Sequence, residues 1–372
     1  MKIGIDIRPF IFSKAGIHTY LSCLIPEMAK NSPHEFMLFT SSASRFDWKE
    51  IAPRLHERVW RFPHYSQAFE RFWQEYILPR AVRSSSVDVF HGLRFFVPRG
   101  LICPAVLDIQ DVGFKKFPAH VTPGAFNYFD KMVRDSIPRA QKIISPSVST
   151  RQDIIEFYNV SPAQIAVIPE GVGREFFINP QEESLCVVRE KFSLKRGFIL
   201  FVGTVQPRKN VGGLLEAFKA LSARFDIDLV IAGEWGWGYE EILEQAETKE
   251  LKARVHFLQY VSAEELRCLY NLCEVFVLPS FYEGFGLPVS EAMACGTPTV
   301  VANNSSLKEF FSDASIMVEA HEPDSIADGI RRALSDSALR QELINKGLRK
   351  AESFSWEETA RKTLAVYTEV AK

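Results

Sequence analysis

Short apolar segments alternate with longer amphipathic segments along almost the whole chain of 372 residues. The short segments, such as Phe198–Gly203 and Val275–Leu278, are rich in aliphatic and aromatic residues, and the longer ones repeat apolar residues at helical spacing. Parallel sheets produce this pattern because their strands are buried on both faces and are joined by helices. Two successive series of such segments predict an α/β fold of two Rossmann-like, doubly wound domains that face each other across a cleft.

The boundary between the two series is expected between Gly171 and Gly197, where the segment Asn179–Glu183 interrupts the periodicity. We therefore assign residues 1–175 to a first domain and residues 176–355 to a second. In open α/β sheets, ligands bind beyond the carboxyl ends of the strands. The loops that follow strands are therefore where binding residues are expected.

The overall charge argues against one class of partner. Basic and acidic residues number 44 and 46, and this net charge of −2 is not typical of a nucleic-acid-binding protein. Residues 1–175 nevertheless hold 22 basic and 17 acidic residues, a net charge of +5, which leaves −7 for the rest. The two halves should therefore meet different partners, and the basic half suits an anionic one.

Three further features predict a cytoplasmic protein. No apolar run reaches the roughly 18 residues that a membrane span needs. Asp6 lies where a secretory signal peptide would need its apolar stretch. The six cysteines include no Cys-x-x-Cys pair, so that neither a zinc site nor a disulfide framework is indicated.

The loop Ser280–Glu291 combines glycines, a proline and two carboxylates directly after an apolar segment. Gly284 and Gly286 permit a ligand to approach the backbone, and a helix that begins near Pro288 offers unpaired N–H groups to an anion. The two carboxylates can accept hydrogen bonds from the hydroxyls of a sugar or a ribose. A plain turn before a solvated helix is the structural alternative.

Two other loops follow the first strand of each domain. Arg208 and Lys209 lie in the loop Gly203–Asn210. The forked guanidinium of an arginine next to the compact ammonium of a lysine suits a diphosphate. A basic pair on the surface is the structural alternative. The loop Arg8–Ile17 could reach a phosphate through the backbone of Gly16. This loop is a weak signal, because no complete Gly-x-Gly-x-x-Gly motif is present.

Together these loops resemble the retaining glycosyltransferases of family 4, the group 1 family with the two-Rossmann GT-B fold. The segments Glu283–Pro288 and Glu291–Pro298 look like the E-x7-E signature of that family. Three further segments extend the resemblance: Gly203–Asn210, Ile168–Val172 and Phe90–Gly92. The segment Val301–Leu307 is similar to the branch that includes bacterial mannosyltransferases and related hexosyltransferases.

The resemblance implies that residues 176–355 bind a nucleotide-diphosphate sugar. Lys209 and Arg208 would neutralise the diphosphate leaving group, Glu283 would orient the donor sugar, and Glu291 would bind the ribose. The remaining donor contacts implied by the resemblance are Gly203, Thr204, Phe285, Gly286 and Leu287, with Tyr260 and Val261 near the base and Gly16 from the other domain.

The resemblance also implies that residues 1–175 bind the acceptor and that the last helix, within 356–372, crosses back onto them. The family often has His-Asp where this chain has Gln110-Asp111, so that Asp111 joins the catalytic set while Gln110 can only hydrogen bond to the sugar. His91 either contacts the acceptor or donor or is a structural histidine. Ala15 and Thr204 also depart from the family pattern, and they leave the identity of the donor sugar open.

Transfer in this family is described as retaining, with front-face departure and attack through an oxocarbenium-like transition state. No protein nucleophile is then needed, and most of the rate comes from positioning and from stabilising the departing diphosphate. We infer that no metal is required, because Arg208 and Lys209 already supply that neutralisation. The expected donor is a nucleotide-diphosphate hexose, with GDP-mannose favoured, and no other cofactor is expected.

The acceptor is expected to be a glycan or a lipid-linked molecule of cell-surface polysaccharide synthesis. The segment Ala68–Arg83 combines aromatic residues with arginines and could rest on an anionic membrane surface, at the inner face of the membrane. An ordinary amphipathic core helix is the alternative for this segment. Rival functions are a nucleotide-sugar epimerase or phosphorylase on the same fold, and a non-catalytic, two-lobed sugar-nucleotide-binding protein.

Overall fold

The computed structural model describes five stretches of the chain: residues 1–8, 16–40, 48–59, 71–178 and 180–372. These residues divide into two compact units. Unit 1 consists of Met1–Lys116, Pro123–Gly171 and Trp356–Lys372, and unit 2 of Phe117–Thr122 and Val172–Ser355. The main division follows Gly171, four residues before the expected boundary, and the short stretch Phe117–Thr122 joins unit 2, which the periodicity did not indicate.

Among the described residues of unit 1, seven strands form one parallel sheet. They are β1 (Lys2–Asp6), β2 (Glu35–Thr40), β3 (Leu55–Val59), β4 (Val89–Gly92), β5 (Ala105–Asp108), β6 (Lys142–Ser145) and β7 (Ile165–Val167). Their order is β3-β2-β1-β4-β5-β6-β7, so that the direction of winding reverses between β1 and β4. The helices are α1 (Gly16–Lys30), α2 (Trp48–Ile51), α3 (Leu78–Ser84), α4 (Gly113–Lys116), α5 (Pro123–Ser136) and α6 (Val148–Tyr158).

In the described part of unit 2, six strands form a second parallel sheet. They are β8 (Gly197–Val202), β9 (Ile227–Ala232), β10 (Val255–Gln259), β11 (Val275–Leu278), β12 (Thr299–Ala302) and β13 (Ile316–Val318). Their order is β10-β9-β8-β11-β12-β13, with the reversal between β8 and β11. The helices are α7 (Glu182–Lys191), α8 (Val211–Ser222), α9 (Glu240–Ala246), α10 (Ala263–Leu272), α11 (Leu287–Ala294), α12 (Ser305–Phe311), α13 (Pro323–Ser335) and α14 (Ser337–Glu352).

The last helix, α15 (Trp356–Val370), belongs to unit 1 and packs against α1. The rings of Trp356 and Tyr20 meet edge to face, with centroids 5.8 Å apart. The hydroxyl of Thr359 donates to the carbonyl of Pro169 at 2.8 Å. Burial of this helix therefore rests on apolar packing together with a hydrogen bond to the loop after β7.

The predicted strand Arg58–Phe62 begins three residues earlier than expected, as β3, because Leu55 is buried and pairs with Phe36 of β2. The predicted helix Ala68–Val82 is described only from residue 71 onwards, where a π-helical turn at Trp73–Ile77 leads into α3. The remaining parts of these two predictions, residues 60–62 and 68–70, lie outside the described residues.

Five of the described elements were not predicted: α2, α4, α7, α12 and β13. Helix α7 begins inside the segment that interrupts the periodicity. Glu182 and Glu183 occupy its first turn and Lys191 its last, which matches the charges of the helix dipole. β13 has only three residues, too few for a periodic signal, and it forms because it pairs with β12 at the sheet edge.

Candidate active site

The candidate site lies in unit 2 at the carboxyl ends of β8 and β11, which are neighbours at the point where the strand order reverses. Loops that follow strands on either side of such a reversal diverge and leave room for a ligand. The loop after β8 carries Arg208 and Lys209, and the loop after β11 carries Glu283. The fold therefore brings together the two charged loops that the sequence singled out.

The loop after β8 requires glycine at its base. Gly203 and Gly233, at the ends of β8 and β9, have φ angles of +152° and +151°. A Cβ atom on Gly233 would lie 2.0 Å from the carbonyl oxygen of Gly203, so that a larger residue cannot be placed there without a shift of the backbone. The close approach of these two loops fixes the direction in which Thr204 leaves the sheet.

Asn210 anchors the end of the same loop. A short 3₁₀ turn, Pro207–Lys209, ends at Asn210 in the left-handed conformation, with φ 56° and ψ 37°. The buried Nδ2 group of Asn210 donates to the carbonyls of Pro279 and Ala320 at 3.0 and 2.6 Å. These bonds join the loops that follow β8, β11 and β13. No role was predicted for Asn210 from the sequence, although asparagine is one of the few residues that adopt a left-handed conformation readily.

Glu283 is held by both cations of the β8 loop. Nζ of Lys209 lies 2.6 Å from Oε1 of Glu283, and Nη1 of Arg208 lies 3.7 Å from Oε2. Arg208 also donates to the carbonyl of Tyr282 at 2.5 Å. Burial alone would raise the pKa of Glu283, which is 7% exposed, but the two cations outweigh burial and lower this pKa below its usual value. Glu283 is therefore ionised at neutral pH.

Side-chain hydrogen bonds from residues 304–306, which follow β12, fix the backbone of the loop after β11. The N–H of Glu283 donates to Oγ of Ser305 at 3.1 Å. The hydroxyl of Ser306 lies 2.9 Å from the carbonyls of both Glu283 and Phe285, and Nδ2 of Asn304 donates to the carbonyl of Ser280 at 3.0 Å. These serines and Asn304 belong to the segment Val301–Leu307, for which the sequence indicated only a resemblance and no task.

Gly286 gives the loop its turn into α11. Its φ angle of +116° is in the region that favours glycine, and the helix begins at the next residue, Leu287. The side chain of Phe285 is buried against the rings of Phe310 and Phe354, each with its centroid 5.1 Å away. Its side chain therefore packs in the core, so that only backbone groups of Phe285 are available to a ligand.

The pKa of Glu291 is shifted in the opposite direction from that of Glu283. It lies on α11, is 6% exposed, and accepts a hydrogen bond from the hydroxyl of Tyr270 at 2.9 Å. Burial, with a smaller contribution from Glu175, raises the pKa of Glu291 to about 7, even though the bond from Tyr270 opposes the rise. Tyr270 lies on α10, whose start is fixed by a capping box between Ser262 and Glu265.

The other predicted donor residues have less definite surroundings. Tyr260 follows β10 and is 55% exposed, and Val261 beside it is half-buried, as is Thr204. Gly16 is the exposed first residue of α1 in unit 1, and a Cβ atom there would meet nothing within 4 Å. Ala15 lies outside the described residues.

Two of the predicted residues of unit 1, His91 and Gln110, belong to a polar network around the buried Asp108, at the end of β5. Gln110 donates to Oδ1 of Asp108 at 2.8 Å, and the hydroxyl of Tyr20 donates to Oδ2 at 2.6 Å. His91 is 1% exposed, with Nδ1 2.7 Å from the hydroxyl of Tyr367 on α15 and Nε2 3.7 Å from Oδ2 of Asp108. These contacts give His91 a structural partner on the last helix.

Asp111 lies just beyond this network. Its Oδ1 atom accepts the backbone N–H of Gly113 at 2.9 Å, which places the carboxylate at the start of α4. Among the described residues, no group of three or more His, Cys, Asp or Glu side chains is arranged to hold a metal ion. Nor is any described helix long and apolar enough to cross a membrane.

Two family models match the chain, "Glycosyltransferase Family 4" over residues 15–176 and "Glycosyl transferases group 1" over residues 188–350. The O-antigen chain mannosyltransferase B of Escherichia coli is 32% identical over 289 residues, which cover 77% of this chain and 76% of that protein. The chain belongs to the group 1 glycosyltransferases. The family expected from the E-x7-E signature is therefore confirmed.

Solved structures of other proteins show the same fold. Sucrose-phosphate synthase from Thermosynechococcus elongatus superposes with a TM-score of 0.80 at 19% identity, over 99% of this chain and 98% of that one. HepE from Anabaena, in complex with UDP-glucose, has a TM-score of 0.78 at 15% identity, over 99% and 100% of the two chains. The α/β, two-domain GT-B fold predicted for this glycosyltransferase is confirmed.

The state of Glu291 predicts a pH-dependent effect of the substitution Glu291→Gln on stability. The native carboxyl keeps its proton up to a pKa of about 7, against 4.5 when unfolded, so that the native glycosyltransferase loses up to about 3 kcal/mol as pH rises through this interval. Glutamine accepts the bond from Tyr270 and has no such loss. We expect the unfolding free energy of E291Q, relative to native, to increase between pH 5 and pH 8 in urea titrations. A difference that does not change with pH would contradict this assignment.

Proposed function

We propose that this glycosyltransferase transfers a hexose, with mannose favoured, from a nucleotide diphosphate to a glycan or lipid-linked acceptor in cell-surface polysaccharide synthesis, with retention of configuration. The observation that carries the proposal is the cluster of Arg208, Lys209 and Glu283 at the strand-order reversal of unit 2. Two cations against one carboxylate leave an excess of one positive charge. That excess suits a diphosphate that becomes more negative as the glycosidic bond breaks.

The ionised Glu283 suits a role in orienting the sugar. A carboxylate offers two oxygens that accept hydrogen bonds from vicinal hydroxyls, and one oxygen of Glu283 lies within 2.6 Å of Lys209. Its lowered pKa makes it a poor proton donor at neutral pH. Its proposed task is therefore to position the hexose while Lys209 and Arg208 stabilise the leaving diphosphate.

Glu291 is proposed to bind the ribose of the donor. Burial of Glu291 favours the protonated form, although the hydrogen bond that Tyr270 donates to it favours the ionised form. Ribose hydroxyls would add donors and stabilise the ionised form, so that donor binding near pH 7 would release a proton from this group. The other proposed donor contacts are Gly203, Thr204, Tyr260, Val261, the backbone of Phe285–Leu287, and Gly16.

In unit 1, Gln110 and Asp111 are proposed to contact the sugar or the acceptor. Gln110 donates one N–H to Asp108 and retains a second N–H and a carbonyl oxygen.

Mannose is favoured as the transferred sugar because the E. coli relative is named a mannosyltransferase. Glucose is the alternative, because the Anabaena neighbour was solved in complex with UDP-glucose. GDP-mannose is therefore the first donor to test, with UDP-glucose as its competitor.

The decisive experiment measures release of nucleotide diphosphate from GDP-mannose and from UDP-glucose, together with the products. We expect Lys209→Ala and Glu283→Ala each to lower turnover at least about tenfold, which is ~1.4 kcal/mol of transition-state stabilisation. Lys219→Ala, which removes a half-exposed lysine of α8 that lies 3.8 Å from Glu250, is the matched control. Full activity of both site variants would refute the assignment. An epimerised nucleotide sugar, or no turnover at all, would favour the rival functions.

A chelator tests the proposed source of charge neutralisation. Arg208 and Lys209 lie where the diphosphate is expected, and we propose that they replace a metal ion in this role. Turnover in excess EDTA should therefore stay within about twofold of the untreated rate, and Lys209→Ala should not be rescued by added Mg²⁺. Loss of activity in EDTA that Mg²⁺ restores would show that a metal ion also neutralises the diphosphate.

The proposed association with a membrane rests on the exposed face of residues 72–84. Phe72 and Tyr76 are each 49% exposed, with ring centroids 5.3 Å apart, whereas Trp73 is fully buried. The guanidinium of Arg80 lies 6.0 Å from the ring of Tyr76, and Arg83 is exposed nearby along the helix. Exposed aromatic rings beside arginines are typical of segments that insert at an anionic lipid surface.

Flotation with vesicles tests this surface. The native chain should float with vesicles rich in phosphatidylglycerol at low salt and lose this binding in high salt or with neutral lipid. The double variant Phe72→Ser/Tyr76→Ser should bind at least about tenfold less. Trp237→Ser, which removes an aromatic side chain of unit 2 that is 46% exposed, should bind like the native chain. No native binding at low salt would exclude the proposed membrane association.

A further inference from the structure

A stack of alternating phenylalanine and histidine rings adjoins the charged cluster in unit 2. The rings of Phe117 and His120 are nearly parallel, with an interplanar angle of 14° and centroids 5.4 Å apart. His120 in turn lies 5.3 Å from the ring of Phe281, and His321 covers the ring of Phe281 at 4.6 Å. This contact explains why Phe117–Thr122 belongs to unit 2.

The stack is tied directly to the residues that surround the diphosphate position. The N–H of Phe281 donates to the carbonyl of Arg208 at 3.0 Å. The ring of Phe117 lies 6.3 Å from that of Tyr282, whose carbonyl accepts the bond from Arg208. His120 is therefore placed beside Arg208 by packing on two neighbouring rings, independently of any ion pair.

The surroundings of His120 select one protonation state. Burial lowers the pKa of this imidazole, and its neighbours Arg208 and His321 lower it further. Its Nδ1 atom is buried and has no hydrogen-bond partner among the described residues. A proton on Nδ1 would be a buried donor without an acceptor, which is unfavourable. The imidazole is therefore neutral at pH 7, with its proton on Nε2.

A neutral N–H donor close to Arg208 suits a different oxygen from those that the two cations would bind. Arg208 and Lys209 already offer positive charge to a diphosphate, and a neutral imidazole adds no further charge. A hydroxyl of the hexose needs only a directed donor, and the flanking phenylalanine rings offer apolar faces to the C–H groups of a sugar.

We propose that His120 contacts the transferred hexose, with Nε2–H donating a hydrogen bond to a hexose hydroxyl, and that it contributes to the choice of sugar. This inference rests on the proposed function, because it requires a nucleotide-diphosphate hexose in unit 2. The inference distinguishes sugar contacts from nucleotide contacts. Loss of His120 should weaken the binding of donors that carry a hexose and leave the binding of the nucleotide diphosphate alone unchanged.

Three substitutions at one position test which nitrogen acts. His120→Phe keeps the stack and removes both nitrogens, His120→Gln places an amide near the position of Nε2, and His120→Asn places it near Nδ1. We expect H120F and H120N to lower kcat/KM for the nucleotide hexose about tenfold, and H120Q to recover at least half of the native value. His256→Gln, which changes a partly buried histidine of β10 that lies 3.3 Å from Asp228 and is not part of the ring stack, is the matched control and should stay within twofold of native.

Calorimetry on the same proteins separates sugar from phosphate contacts. Binding of nucleotide diphosphate alone should be unchanged within twofold in all four variants, while H120F and H120N bind the nucleotide hexose about tenfold more weakly. Equal losses for both ligands would overturn the inference, and so would native behaviour of H120F or better activity of H120N than H120Q. If H120F unfolds, the comparison of H120Q with H120N still decides.

The proposed function and this inference fail in different ways. A native chain that neither binds nor turns over any nucleotide hexose refutes the proposed function. A native chain that turns over the donor, accompanied by an equally active H120F, refutes the role of His120 and leaves the proposed function intact.

Discussion

The ionisation of one buried carboxylate holds the candidate site together. Glu283 keeps its charge only because Lys209 and Arg208 reach it from the loop of the neighbouring strand. Burial without them would favour the protonated form. The same guanidinium binds the carbonyl of Tyr282, so that charge and loop position are coupled. The proposed diphosphate site thus has its cations already in place, which is the arrangement that electrostatic catalysis requires.

Uncharged hydrogen bonds supply the rigidity that this charge cluster needs. Asn210 and Ser306 bind carbonyl groups of loops that would otherwise be held only by their ends. Against this fixed background, the pKa values of the two carboxylates of the E-x7-E signature are shifted in opposite directions. Glu283 is paired with cations and has a lowered pKa, whereas Glu291 is buried beside a tyrosine and has a raised pKa. Identical side chains in one motif therefore acquire different pKa values from their surroundings.

Much of the fold could be predicted because hydrophobic periodicity reports directly on buried strands and amphipathic helices. The predicted β2 and β11 have the observed bounds, and most other elements differ by a few residues at their ends. The misses have local causes. β13 is too short to show a period, and α7 begins inside a polar interruption that resembles a linker. The placement of 117–122 in unit 2 depends on ring packing between residues distant in sequence, which periodicity does not report.

The sequence by itself determined the two α/β series, the family, and the residue types that can bind a diphosphate and hydroxyl groups, because these depend on local periodicity and short motifs. Only the tertiary structure decided which of these groups touch and what charge each one carries. The contact of Lys209 with Glu283 joins residues 74 positions apart, and the neutral state of His120 depends on Arg208 and on a buried ring nitrogen. Protonation follows from burial and from distances between charges, and both exist only after the chain has folded.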